Sequence, residues 1–162
     1  DLGDSNGKKL RTIAQSFILR NLLYDANDYM SHFTQRYRLT CGTDSLSILV
    51  EDNFNGGLRT SADTLSGGEG FMASLALALA LARIQGREFA VDTLFIDEGF
   101  GTLDENCLDT VVSTLERLQS IGGRKVGIIS HMEALSARIH TQVQVRRDPA
   151  CPTRSTVTVT TT

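Results

Sequence analysis

An apolar run closes on two adjacent carboxylates in Thr93-Leu94-Phe95-Ile96-Asp97-Glu98, and the loop Gly99-Phe100-Gly101 follows before Thr102-Leu103-Asp104-Glu105. The run is short, with β-branched residues at its ends and an aromatic inside, so it reads as a buried strand. In an open α/β sheet, ligands sit beyond the carboxyl ends of the strands. Asp97 and Glu98 fall at that edge. Neighbouring side chains on a strand point to opposite faces, so the two carboxylates have different roles. Phosphoryl-transfer chemistry needs such a division: one carboxylate near a divalent ion, the other facing the attacking water.

The next strand is expected over residues 126–130, continuous and apolar as buried parallel strands are, and it ends in Ser130-His131. Between the two strands, Thr102 and Glu105 fit a capping box, and Leu108, Val111, Val112, Leu115 and Leu118 give a helix its buried stripe. Gly122-Gly123 ends that helix, and Cys107 packs in it as a small apolar residue. A strand–helix–strand crossover is right-handed, which makes the strands parallel and brings His131 to the same edge as Asp97 and Glu98.

A third feature stands upstream. Ser66 and Glu69 in Leu65-Ser66-Gly67-Gly68-Glu69 form an S-x-x-E capping box. The helix it opens, with its body over residues 71–84, is apolar nearly all round and is therefore expected to be buried. Gly86 is its expected stop. Its apolar run of about 14 residues falls short of the roughly 20 that a bilayer requires. Two consecutive glycines at a helix start leave bare backbone, and the N–H groups there with the Ser66 hydroxyl form a place for an anion.

The remaining stretches frame these three. Residues 1–7 are polar and Gly-rich, a linker, and Gly3 with Gly7-Lys8-Lys9 fails the phosphate-loop spacing. Residues 9–36 lack Gly and Pro, and Leu10, Ile13 and Phe17, then Leu22, Ala26, Tyr29, Phe33 and Tyr37, recur at helical spacing. This predicts one long amphipathic helix, or two broken near residues 19–21, with His32 on the surface. Strands are expected over residues 37–41 and 46–51 around a Gly42-Thr43-Asp44 turn, with loop over residues 53–63. Residues 132–139 read as a short helix, His140 as surface, and residues 142–146 and 156–160 as a half-exposed hairpin.

The composition of the 162 residues is that of an ordinary soluble globular domain, with 41% hydrophobic and 22% charged residues. A net charge of −3 gives no basic signature of nucleic-acid binding. The basic pairs are scattered, so they read as solvated surface. Cys41, Cys107 and Cys151 are odd in number and far apart, which excludes a zinc-ribbon or disulfide framework and fits a reducing compartment. The chain starts at Asp1 without a Met and closes on threonines, and it is expected to be a piece of a longer protein.

The ordered set of Leu65-Ser66-Gly67-Gly68-Glu69, Leu94-Phe95-Ile96-Asp97-Glu98 with Gly101-Thr102-Leu103-Asp104, and Ile128-Ile129-Ser130-His131 resembles the C-terminal half of an ABC-type ATPase head. Transporters usually carry Pro-Thr after the Asp-Glu pair. The Gly99-Phe100-Gly101 form, with Glu69 where transporters favour Gln, is similar to the SbcC family of SMC-like DNA-repair ATPases. Residues 7–37 resemble the point where that family's returning coiled-coil arm enters the head.

The resemblance implies an α/β fold: the C-terminal lobe of an ABC-type P-loop ATPase head, a parallel sheet core with flanking helices and peripheral antiparallel hairpins. It divides the chain into a linker and long helix at the coiled-coil exit (1–38) and the lobe itself (39–162). It implies ATP and Mg²⁺ as cofactors. Ser66, Gly67 and Gly68 would be the signature motif that meets the γ-phosphate of ATP on the opposite head. Asp97 would be the Walker B aspartate that holds Mg²⁺ through its waters, and Glu98 the general base. Leu103 and Asp104 would be the D-loop, and His131 the switch histidine.

The implied partners are the N-terminal half of the same head, a second head in a homodimer, an SbcD-like nuclease and, through the full complex, DNA. No membrane is implied, and the setting is cytoplasmic. The family's phosphate loop lies in the N-terminal half, so the chain alone is expected to hydrolyse nothing. An SMC-type chromosome tether is the alternative, and the ATPase of an ABC transporter is a third. A zinc-hook CxxC in the remaining sequence would mark the first, a hinge domain the second, and a nearby upstream phosphate loop without coiled coil the third.

Overall fold

The computed structural model describes residues 8–42, 46–85, 93–97, 105–120, 125–151 and 153–161. It has two compact units. The first comprises Asp1–Phe95 with Thr102–Gly127, the second Ile96–Gly101 with Ile128–Thr162.

The first unit is built on one unbroken helix, α1 (Lys8–Phe33). No break occurs near residues 19–21. The helix stops where Thr34 turns its hydroxyl to accept the Arg36 N–H at 3.1 Å, a local bond that competes with further helix. The second half of the expected stripe is buried, through Leu23, Ala26, Tyr29, Met30 and Phe33. The first half is not: Leu10, Ile13 and Phe17 are exposed, and Ser16 is the buried residue there. Periodicity tells which residues share a face, and among the described residues only the second half of that face is buried. His32 is exposed, as expected.

β1 (Tyr37–Cys41), β2 (Ile48–Asp52) and β3 (Leu58–Ser61) form an antiparallel sheet in that order. Leu39 and Val50 are register partners and both are buried, on the face that α1 covers. Asn27 of α1 ties the layers together. Its amide donates to the Leu39 carbonyl at 2.8 Å, and its carbonyl accepts the Leu39 N–H at 2.7 Å. One helical side chain thus gives β1 the donor–acceptor pair of a neighbouring strand.

β3 lies in the stretch expected to be loop. Gly56 and Gly57 adopt φ of +66° and +76°, a left-handed turn that suits glycine and reverses the chain into β3. Its four residues Leu-Arg-Thr-Ser are mostly exposed, so no apolar alternation announced the strand. The ion pair between Arg59 and Glu51, at 2.8 Å across the register, helps to hold it.

α2 (Gly67–Gln85) packs on α1 and on α3 (Glu105–Ser120). It buries Met72, Ala73, Leu75, Ala76, Leu79 and Ala80, while Leu81 and Ile84 are exposed, so it is not buried all round. By length and composition alone Gly67–Ile84 is long and apolar enough to cross a membrane, a test that buried core helices also pass. Here its buried face packs within a helical layer instead. α3 buries Leu108, Val111, Leu115 and Leu118, as the spacing predicts, and satisfies its buried Thr114 hydroxyl on the Thr110 carbonyl at 2.7 Å. Cys107 is partly buried. Arg117 reaches back to the His32 and Phe33 carbonyls at 3.2 and 3.4 Å, a cation at the C-terminal end of α1.

β4 (Thr93–Asp97) and β5 (Lys125–Ile129) form a two-stranded parallel sheet, and the division between units falls within both strands. The expected burial of these strands is corrected. Phe95 is 70% and Ile129 53% exposed, because among the described residues each strand has only the other beside it. The Phe95 ring lies where a side chain on Gly127 would be, with ring atoms 2.6 Å from an ideal Cβ.

The second unit continues into α4 (Glu133–Ser136) and the antiparallel pair β6 (Thr141–Arg147) and β7 (Ser155–Thr161). Leu135 is buried, and Gln142 donates to the Ser136 and Ile139 carbonyls. Val143 pairs with Val159 and Val145 with Val157, and all four are exposed. His140 is exposed, as expected.

Candidate functional site

The start of α2 carries the first group of candidate residues. A short 3₁₀ turn, Ala62–Thr64, is capped by Ser61 and leads through Leu65 into Ser66. The capping box forms as the spacing predicts. The Glu69 carboxylate accepts the Ser66 N–H at 2.9 Å, and the Ser66 hydroxyl accepts the Glu69 N–H at 3.4 Å. Ser66 and Gly67 are exposed, whereas Gly68 is buried with its α-carbon facing Cys107 and Thr110 of α3. The glycine pair therefore has two faces, one turned to solvent and one laid on the neighbouring helix.

A cleft of about 300 Å³ opens beside this cap, lined by Arg36, Tyr37, Ser66, Gly68, Glu69 and Thr110 among others. No motif or spacing pointed to its Arg36-Tyr37 wall. Arg36 grips Asp52 through three hydrogen bonds of 2.8 to 3.1 Å, and its guanidinium lies over the Tyr37 ring at 4.7 Å. Asp52 also accepts the Phe54 N–H at 3.0 Å.

The charges in this cleft are tuned together. The Asp52 carboxyl is held below its ordinary range chiefly by the bond from Arg36. The Arg36 guanidinium is raised in turn, chiefly by its bond to Asp52. Burial pushes the Tyr37 phenol up, and the Glu69 carboxylate within hydrogen-bonding reach adds to the rise. Burial works against the charged form of Glu69, but the Ser66 N–H, the Tyr37 and Ser66 hydroxyls and Arg36 together outweigh it and lower its pKa. Asp52 and Glu69 thus stabilise the fold above the normal carboxylate range. That contribution is lost as pH falls through their lowered values.

The second group lies in the second unit. Asp97 is the last residue of β4, and Ser130 and His131 follow directly on β5. Because the strands are parallel neighbours, these residues leave the sheet at the same edge. Asp97, Ser130 and His131 are all exposed, and the Ser130 hydroxyl accepts the Met132 N–H at 3.2 Å. No group of three or more His, Cys, Asp or Glu forms a metal-binding cluster among the described residues. A lone carboxylate at such an edge suits Mg²⁺, which takes one or two protein carboxylates and completes its shell with waters and phosphates. Glu98, Leu103 and Asp104 lie outside the described residues, as do Thr102 and the turn glycines Gly86, Gly122 and Gly123.

A family model described as SbcC/RAD50-like, Walker B motif, matches residues 27–117, more than half of the chain. The chain belongs to the SbcC/RAD50-like family. The matched span contains the Ser66 cap, Asp97 and most of α3. Proteins named as the SbcC component of the nuclease SbcCD are similar to it: one from Rhodobacter capsulatus is 46% identical over 147 residues, and one from Pseudomonas aeruginosa 43%. Each match covers 91% of this chain and 12% of the relative, so the chain spans about an eighth of those proteins. Among solved structures, the SMC head domain from Thermotoga maritima superposes with a TM-score of 0.61 at 17% identity, covering 91% of this chain and 51% of that one. A structure described as concerning ATP-driven dimerization and DNA-stimulated activation of SMC ATPases gives 0.61 at 14%, covering 91% and 88%. At such identities the likeness is one of fold. It confirms the expected α/β architecture, the fold of those SMC heads, with a parallel sheet and antiparallel hairpins.

Proposed function

We propose that this chain is the C-terminal lobe of the ATPase head of an SbcC protein, with residues 1–38 at the exit of its coiled coil and residues 39–162 forming the lobe. In the full polypeptide the head binds and hydrolyses ATP with Mg²⁺, in the cytoplasm, and hydrolysis controls a DNA-end-processing exonuclease. The observation that carries this reading is the family match over residues 27–117, which spans both a glycine-opened helix start at Ser66 and a strand ending in Asp97.

On this reading Ser66, Gly67 and Gly68 present hydrogen-bond donors to the γ-phosphate of ATP on a second head. Asp97 holds Mg²⁺ through its water shell, and the ion supplies neutralisation of the charge on the transferred phosphoryl group. Glu98 orients the attacking water and accepts its proton. Leu103 and Asp104 lie at the junction between heads. His131, at the edge that Asp97 shares, contacts the γ-phosphate. The partners are the N-terminal half of this head, which brings the phosphate loop, a second copy of the head, and an SbcD-like nuclease acting on DNA. The relatives' name, which makes them part of a nuclease called SbcCD, supports that nuclease partner. The exposed Phe95 and Ile129 suit a β4–β5 sheet that the N-terminal half completes. The alternative, an SMC-type tether, shares the fold and parts from this reading by a hinge where a zinc hook would stand.

The test is Glu98→Gln in the full-length polypeptide. ATP binding should persist, hydrolysis should fall by at least about 100-fold, as loss of a general base does, and the ATP-bound dimer should accumulate. Hydrolysis at the normal rate would remove Glu98 from the role of base.

A further inference from the structure

β6 turns its polar face, not its apolar one, to its own unit. Val143 and Val145 are exposed, while Gln142 and Gln144 on the other face are half-buried. The glutamines form a hydrogen-bonded row along the strand. Arg146 donates to the Gln144 side-chain oxygen at 3.3 Å, and the Gln144 amide donates to the Gln142 side-chain oxygen at 3.4 Å. With its oxygen taken, Gln142 presents its NH₂ group. That group donates to the Ser136 carbonyl and, at 2.8 Å, to the Ile139 carbonyl. Both protons of one amide are thus spent on the end of α4 and the turn beyond it.

α4 has four residues, too few to hold a helical turn unaided. Two ties fix it: Leu135 is buried, and Gln142 takes the carbonyls at the far end. At the near end, the Ser130 hydroxyl accepts the Met132 N–H at 3.2 Å. The Met132 carbonyl then accepts the N–H groups of Leu135 and Ser136 at 3.2 and 3.4 Å. Hydrogen bonds therefore run without a gap from Gln142 through α4 to Met132 and Ser130, the two neighbours of His131. We propose that Gln142 is a positioning residue for His131: by closing the far end of α4, it fixes the turn from which the imidazole meets the γ-phosphate. This rests on the reading of His131 as the γ-phosphate contact. The burial of Leu135 survives the loss of Gln142, so the turn stays in place and loses its fixed aim. The effect then falls on hydrolysis and spares the binding of ADP, which has no γ-phosphate.

Gln142 acts through His131, and a double-mutant cycle isolates that route. In the full-length polypeptide, Gln142→Met keeps the length of the side chain and removes both donors. Single-turnover ATP hydrolysis is measured for Gln142→Met, His131→Ala and the double variant, with ADP binding as the count of folded heads. Gln142→Met should slow hydrolysis by about three- to tenfold, which is what one lost hydrogen bond is worth, with ADP affinity and stoichiometry unchanged. If Gln142→Met binds less ADP, Gln142→Glu takes its place with the same expectation, since it keeps the shape and turns an oxygen on the two carbonyls. In the His131→Ala background the Gln142 substitution should cost nothing further, whereas a general structural fault would slow both backgrounds alike. Additive losses, or a Gln142 variant that hydrolyses ATP at the normal rate, would overturn the proposal. Slow hydrolysis in His131→Ala beside a normal rate in the Gln142 variant would defeat the positioning role only. A normal rate in His131→Ala would defeat the reading of His131 and the positioning role with it.

Discussion

The β1–β2 pair and the β6–β7 pair are both antiparallel, and they have opposite fates. In the first, Leu39 and Val50 face each other and are sealed under α1. In the second, Val143 and Val159, then Val145 and Val157, face each other in open solvent at 60 to 66% exposure. Alternation in a sequence establishes that a strand has an apolar face. Only a neighbouring layer decides whether that face is worth anything to the fold. Two facing valines gain from contact with each other, a few tenths of a kcal/mol to about 1 per cross-strand pair. A buried leucine gains its whole transfer from water, roughly 1.5 to 3 kcal/mol.

Three substitutions sharpen this contrast. Leu39→Ala should cost the most, about 2 to 5 kcal/mol, because the cavity it leaves under α1 cannot close. A urea midpoint unchanged by that substitution would show that β1 is not sealed. Asn27→Ala should cost less, about 1 to 3 kcal/mol, since it strands both backbone groups of Leu39 on a half-buried edge. Amide exchange at Leu39 should speed up accordingly, and unaltered protection there would contradict the tie. Val145→Thr should be the mildest, within about 0.5 kcal/mol in this chain. A loss near that of Leu39→Ala would mean that the β6–β7 face is covered after all.

The same contrast explains what could be read in advance. The start of α2 was legible because a capping box is a contact between residues three apart, written directly in Ser66 and Glu69. The ends of β1 and the stripe of α3 were legible for a similar reason, since local spacing and burial agree there. β3 was missed because an exposed four-residue strand carries no alternation, and its signal was only the Gly56-Gly57 turn before it. The front half of α1 shows the reverse error. Leu10, Ile13 and Phe17 have the spacing of a core face and are exposed among the described residues.

In the candidate site, Ser66 and Asp97 were found through their place in an element. The Arg36–Asp52 clamp and the approach of Tyr37 to Glu69 were not, since they join positions 16 and 32 residues apart that only the folded sheet and helix bring together.

Gly127 of β5 leaves room for the Phe95 ring of β4. A phenylalanine laid over a bare glycine on the next strand is a rescue of the weak spot by an aromatic ring, and such a pair also marks register. A slip of one residue would turn Phe95 to the opposite face and leave Gly127 uncovered. Two residues past Phe95 the strand ends in Asp97, and three past Gly127 the chain reaches Ser130. A methyl group added at Gly127 would act as a misplaced tooth on a ratchet, prying up the ring and loosening the count between the two strands.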